Sequence, residues 1–286
     1  MIFCVSPEPY LDLHGYTAQS VETLLATLAS LGIGGIDFDY PPPVEEPAWL
    51  EKAQLVLSAA RRRGMGISVH GPFLDISAAD PQARMGSVAA HQRALAQIAQ
   101  LGRGFTYVLH PEAGNNQRQP GDDQLREAMC HQSLAELVPL ARQSGARLAL
   151  ENMRYRADNP NRTGMYTDRL AEILRGLEEN IVGICFDVGH GYLSEGDGLC
   201  DAFCRHASRI IHVHLADNQG VEDDHLEPGQ GRIDWRRFYE GVRSSQYGGM
   251  LQLEVNPADG EDPLAFYRRN QQFFARLAGL RSAEGS

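Results

Sequence analysis

Short apolar runs rich in Val and Ile alternate along the chain with longer stretches whose apolar residues recur every three or four positions. The runs predict strands at 2–6, 33–39, 66–70, 105–110, 147–151, 181–187, 210–215 and 250–255. The amphipathic stretches predict helices at 18–31, 48–63, 81–102, 122–143, 167–178, 198–207, 234–244 and 262–279. Near-continuous apolar strands separated by helices form a parallel sheet whose two faces are both covered. Eight such units predict one closed (β/α)8 barrel, a TIM barrel, over 1–280, with 281–286 as a C-terminal tail. An open doubly wound sheet is the alternative, but no Gly-x-Gly-x-x-Gly turn follows the first strand. Gly32, Gly64, Gly102 and Gly145 each stop a helix before the next strand, and Pro47 and Pro81 sit near helix starts. Asp234 caps the seventh helix, and Trp235 is expected to pin the loop before it.

Composition narrows the chemistry. The 286 residues carry 26 basic and 37 acidic side chains, a formal charge of −11, and Lys52 is the single lysine. That balance argues against wrapping nucleic acid by bulk electrostatics, and one lysine on a helix makes Schiff-base catalysis a poor fit. The five cysteines, Cys4, Cys130, Cys185, Cys200 and Cys204, form no Cys-x-x-Cys pair, as expected in a reducing cytoplasm. The chain has no run of about 18 apolar residues to cross a membrane, and its N-terminus reads as a strand. Cys200 and Cys204, one turn apart with His206 nearby, could bind metal, but read better as half-buried helix positions.

In an α/β barrel the chemistry comes from the C-terminal ends of the strands and the loops beyond them. Six consecutive strands deliver His, Asp or Glu to that rim: His70, His110, Glu151, Asp187 with His190, His214, and Glu254. The loop after strand 7 adds Asp223 and His225. Imidazoles and carboxylates crowded together repel or lose hydration unless a cation holds them, so the pattern points to divalent metal. His212 shares the inward face with His214 but lies about 7 Å deeper along the strand, and is expected beneath the site. His14, His91, His131 and His206 fall on helices or the first loop and read as packing or surface residues.

The stretches 69–74 (VHGPFL), 109–112 (LHPE), 150–152 (LEN), 186–190 (FDVGH), 212–218 (HVHLADN), 223–235 (DDHLEPGQGRIDW) and 253–257 (LEVNP) together resemble the xylose isomerase-like TIM-barrel superfamily. That superfamily groups sugar and sugar-phosphate isomerases and epimerases with endonuclease IV-type AP endonucleases of family 2. The resemblance to the epimerases implies one ion, Mn, Co or similar, on Glu151, Asp187, His214 and Glu254, with the two glutamates as acid–base pair. The resemblance to the endonucleases implies three zinc ions on nine ligands: His70, His110, Glu151, Asp187, His190, His214, Asp223, His225 and Glu254. All nine positions hold the expected residue type. Against DNA cleavage, the second strand leads into 37–47 (DFDYPPPVEEP), four acids and no base where those enzymes carry polar and basic residues.

The expected activity is metal-dependent isomerisation or epimerisation of a sugar, sugar phosphate or related polyhydroxy compound by proton transfer. The alternatives are a di- or trinuclear metallohydrolase and a dehydratase. The expected cofactor is Mn, Zn or Co, as one ion or as two or three. The long loop 152–166 offers Arg154, Arg156 and Arg162, which could grip an anionic group on a small-molecule substrate. Phe73 is expected to wall the pocket, and 112–121 could cover it. Relatives of this kind are often dimers or tetramers, and no apolar stripe fixes an oligomeric state.

Overall fold

The computed structural model describes residues 1–41, 45–113 and 122–279, so the tail at 281–286 and most of the loop 112–121 lie outside the described residues. Eight parallel strands, β1 (Ile2–Val5), β2 (Gly35–Asp39), β3 (Gly66–His70), β4 (Phe105–Leu109), β5 (Ala146–Glu151), β6 (Val182–Asp187), β7 (Ile210–Leu215) and β8 (Met250–Leu253), close into a barrel in chain order. Closure is by β1 on β8, in the register Ile2↔Met250 to Val5↔Leu253. The helices are α1 (Glu8–His14), α2 (Ala18–Ser30), α3 (Glu46–Arg62), α4 (Pro81–Leu101), α5 (Asp122–Ser144), α6 (Thr167–Ile173), α7 (Val188–Glu195), α8 (Leu199–His206), α9 (Trp235–Ser244) and α10 (Pro263–Gly279). The single TIM barrel is therefore as the sequence predicts. Among the described residues no helix is long and apolar enough to cross a membrane.

The local reasons are those of the sequence pattern. β4 to β8 are buried throughout apart from Arg147 on β5, because helices cover the outside and side chains fill the inside. The four helix-stopping glycines sit at φ of 77, 67, 137 and 69° in chain order, a region costly for a residue with a Cβ. Asp80, Asp187 and Asp234 cap α4, α7 and α9 by accepting from Ala83, His190 and Arg237 amides.

Four features differ from the expectation. α1 follows β1 after two residues, where Ser6-Pro7-Glu8-Pro9 reads as loop; Pro9 lies in the first turn, where its missing amide costs little. α7 starts at the residue after β6, without a loop, and its two glycines hide it from a helical pattern. β8 stops at Leu253, and α6 stops at Ile173 rather than 178.

Candidate metal centre

Register places the polar strand ends side by side. His70 pairs with Asp39 of β2, Glu151 with Cys185, and His214 with Asp187 on one side and Gln252 on the other. Two side-chain devices fix the rim. Asn152 Nδ2 donates to the Asp187 carbonyl at 2.9 Å and its Oδ1 accepts from the Asp187 amide at 2.7 Å, locking the ends of β5 and β6 together. The buried carboxylate of Asp217 accepts from the amides of Asn218, Gly229 and Ile233 and, at 2.7 Å, from Trp235 Nε1. The loop after β7 is thus wound around Asp217, so tightly that a Cβ on Gly231 would lie 2.2 Å from Asp217 Oδ1.

All nine expected ligands converge. Glu151 is the hub: His70 Nε2 lies 3.3 Å and His110 Nε2 3.2 Å from its Oε2, and His190 Nδ1 lies 3.2 Å from its Oε1. His214 Nδ1 stands 3.6 Å from Glu151, 3.8 Å from Asp187 and 3.2 Å from Glu254. Asp223 Oδ2 links His190 Nε2 at 3.2 Å to His225 Nε2 at 3.4 Å. One ligand atom from each of Glu151, Asp187, His214 and Glu254 lies within 4.8 Å of the other three, and the same holds for His70, His110 and Glu151.

The buried polar atoms test whether a cation fits. Among the described residues Glu151 Oε1, Asp187 Oδ2, Glu254 Oε2 and both nitrogens of His214 have no hydrogen-bond partner. Leaving such atoms unmet costs about 1–3 kcal/mol each, more for charged groups. They belong to one four-residue set whose ligand atoms lie within 4.8 Å of one another, so the residues fit a divalent ion.

Protonation shows the same tension. Burial pushes Glu151 up, yet the charges of His110 and His214 overcome it and hold its carboxyl well below the usual range. Burial, with Glu254 and Glu151 adding, drives Asp187 well above its ordinary value. Burial works against the charged form of His70, but Glu151 lifts it to about 9. Asp223 raises His225 to about 10. Burial depresses His110. Without a metal the site therefore stores protons that an ion would displace.

His212 lies beneath, fully buried, with Nε2 3.4 Å from Gln252 Oε1, as expected. Phe73 stacks on His70 with ring centroids 5.0 Å apart and meets His110 edge-on, while staying 65% exposed. It covers the outer side of these two histidines. The three arginines do not converge. Arg156 pairs with Asp158 in its own loop at 2.8 Å, and Arg162 donates to the Glu112 carbonyl at 3.1 Å. Arg154 alone approaches the cluster, 3.7 Å from Asp223. Glu112, fully buried, takes the Thr163 amide and the Asn159 side chain and so folds that loop down. His91 is buried against the Tyr107 hydroxyl, a packing residue as read.

A cavity of about 530 Å³ opens beside Glu254, His70 and His225. Its wall carries Glu8, Asp12, Asp37 and Asp39, which sequence reasoning did not assign to the site. Asp37 and Asp39 share one parity on β2, a signal that was available. Glu8 and Asp12 come from the unforeseen α1. Burial, followed by repulsion from neighbouring acids, raises Asp37 to about 7 and Glu8 to about 8.

Comparison with known proteins gives the family and the fold. The xylose isomerase-like TIM barrel family model matches residues 25–277. An uncharacterized protein of Methanocaldococcus jannaschii is 31% identical over 126 residues, 43% of this chain and 41% of its own. An inosose dehydratase of Histophilus somni is 24% identical over 166 residues, 51% and 53% of the two chains. These matches thus span about half or less of the curated relatives' length. Among solved structures, a D-tagatose 3-epimerase-like protein superposes with a TM-score of 0.74 at 21% identity, over 100% of both chains.

Proposed function

We propose, because this chain belongs to the xylose isomerase-like TIM barrels, a family of enzymes, that it is a metal-dependent isomerase or epimerase of a polyhydroxylated small molecule. The observation that carries this reading is the set of unmet buried atoms on Glu151, Asp187, His214 and Glu254. Those four would hold one ion, and imidazole with carboxylate suits Mn, Zn or Co. His70 and His110 with Glu151, and His190 and His225 with Asp223, would hold others. A bound divalent ion supplies Lewis-acid polarisation of a substrate carbonyl. The protein's own groups move the proton. Glu254 reaches the cavity wall, so it takes or returns a proton at the carbon next to that carbonyl. Glu151, kept ionised by His110 and His214, serves as the second acid–base group. Phe73 over His70 excludes water from that side.

Two related reactions share these parts. Dehydration starts with the same proton removal, and the inosose dehydratase relative supports it as a variant. Hydrolysis at two or three ions is the second reading, favoured by the way Asp223 joins His190 and His225 to the cluster. Metal analysis of protein purified without added ions, with turnover of a panel of ketoses and cyclic polyhydroxy ketones before and after chelation, tests the proposal. Loss of turnover on chelation and return with one ion per chain are expected. Turnover untouched by a chelator would refute it, and dependence on two or three ions with phosphoester cleavage would favour hydrolysis.

A further inference from the structure

The cavity beside Glu254 is charged in a way that metal binding does not answer. Bound metal would be answered by Glu151, Asp187, Asp223 and Glu254, leaving Glu8, Asp12, Asp37 and Asp39 facing one space whose wall, among the described residues, holds His70 and His225 but no Lys or Arg. Two buried side chains are aimed into that space. Asp37 is 3% exposed; Oδ1 accepts from the Ser68 hydroxyl, and Oδ2 has no hydrogen-bond partner among the described residues. Gln252 is 5% exposed; Oε1 is engaged by His212, and its amide nitrogen has no partner among the described residues. The wall therefore offers carboxyl groups that a bound cation would hold ionised, and one neutral donor.

The next recess continues the theme. It shares Glu8, Asp12 and Asp39 with the cavity and adds the rings of Tyr16, Tyr40, Trp49 and Phe73. The chain's one lysine already sets its ammonium 4.3 Å from the centre of the Tyr16 ring. Carboxylates beside aromatic faces suit a cation, and a phosphate would meet repulsion from Glu8, Asp12, Asp37 and Asp39.

We propose that the substrate is a polyol or sugar bearing a protonated amine, its ammonium set among Glu8, Asp37 and Asp39 and an oxygen held by Gln252. This rests on the proposed isomerase or epimerase reading and names its substrate class. A cavity of about 530 Å³ is of a size for one such molecule.

Calorimetry on the metal-loaded full chain with glucosamine, glucose and glucose 6-phosphate tests it. Glucosamine is expected to bind about tenfold tighter than glucose, a ratio that shrinks as salt rises, and the phosphate weakest. The D37N/D39N variant, with its fold checked by circular dichroism, should bind glucosamine and glucose alike. Equal binding of amine and neutral sugar, tighter binding of the phosphate, or no binding of any of the three overturns the proposal. Proton exchange into a neutral ketose without amine preference would overturn only the substrate class and leave the reaction standing. Amine preference without proton exchange on any probe would do the reverse.

Discussion

Asp217 concentrates the folding of the site loop into one carboxylate, so Asp217→Asn is the most informative single substitution. Oδ1 serves the amides of Asn218 and Ile233, and Oδ2 serves the Gly229 amide and the Trp235 indole. Asparagine keeps the volume and one oxygen, so no cavity term enters. Whichever pair of donors then faces the new NH2 group is buried without an acceptor, at about 1–3 kcal/mol per donor. The other pair loses the gain of a charged acceptor, for a total of about 3–8 kcal/mol. That is a large part of the roughly 5–15 kcal/mol typical of a domain. The loss is also directional. The loop carries Asp223 and His225, whereas Glu151, Asp187, His214 and Glu254 stand at the ends of β5 to β8, so one subset of ligands loosens and the other stays. Urea unfolding with and without chelator reads the first effect, and metal analysis reads the second. Unfolding within about 0.5 kcal/mol of the unsubstituted protein would refute the reasoning.

Two further outcomes follow from the same geometry. The protonated forms of His70 and His225, with folded values of about 9 and 10, contribute stability that is complete below about pH 6.5 and lost as pH rises through those values. Thermal unfolding of chelator-treated protein should fall across that window and the metal-loaded protein should not; a flat metal-free profile contradicts this. Glu112→Gln replaces one of the two oxygens that hold Thr163 and Asn159, costing about 1–3 kcal/mol and exposing the 152–166 loop. Hydrogen exchange at the Thr163 amide should quicken, and unchanged protection would count against the role given to Glu112.

The barrel was legible because both of its periods are local: apolar runs for strands and a spacing of three or four for helices. The convergence of the nine candidate residues was legible for the same reason, since each ends a strand or sits in the loop beyond one, and a polar residue there has only the rim to face. What escaped was set by packing across the chain. α1 hides behind Pro7 and Pro9, and only its folding brings Glu8 and Asp12 over the site. Asp37 and Asp39 lie in a predicted strand but also open the acidic, proline-rich run 37–47, so they read as loop charge and not as rim groups. Arg156 and Arg162 could not be placed because their partners, Asp158 and the Glu112 carbonyl, are chosen by the fold of the loop. The deeper position of His212 followed from strand rise alone and stands as read.

The central claim is proton transfer by Glu254 and Glu151 at a metal-dependent site. Deuterium wash-in from heavy water into a ketose, followed by NMR with metal-loaded protein, measures it most directly. Wash-in at the carbon next to the carbonyl, abolished by chelation and reduced at least about a hundredfold in Glu254→Gln with the fold and metal content intact, is the expected result. Substrate conversion without any solvent deuterium, or full wash-in by Glu254→Gln, would contradict it.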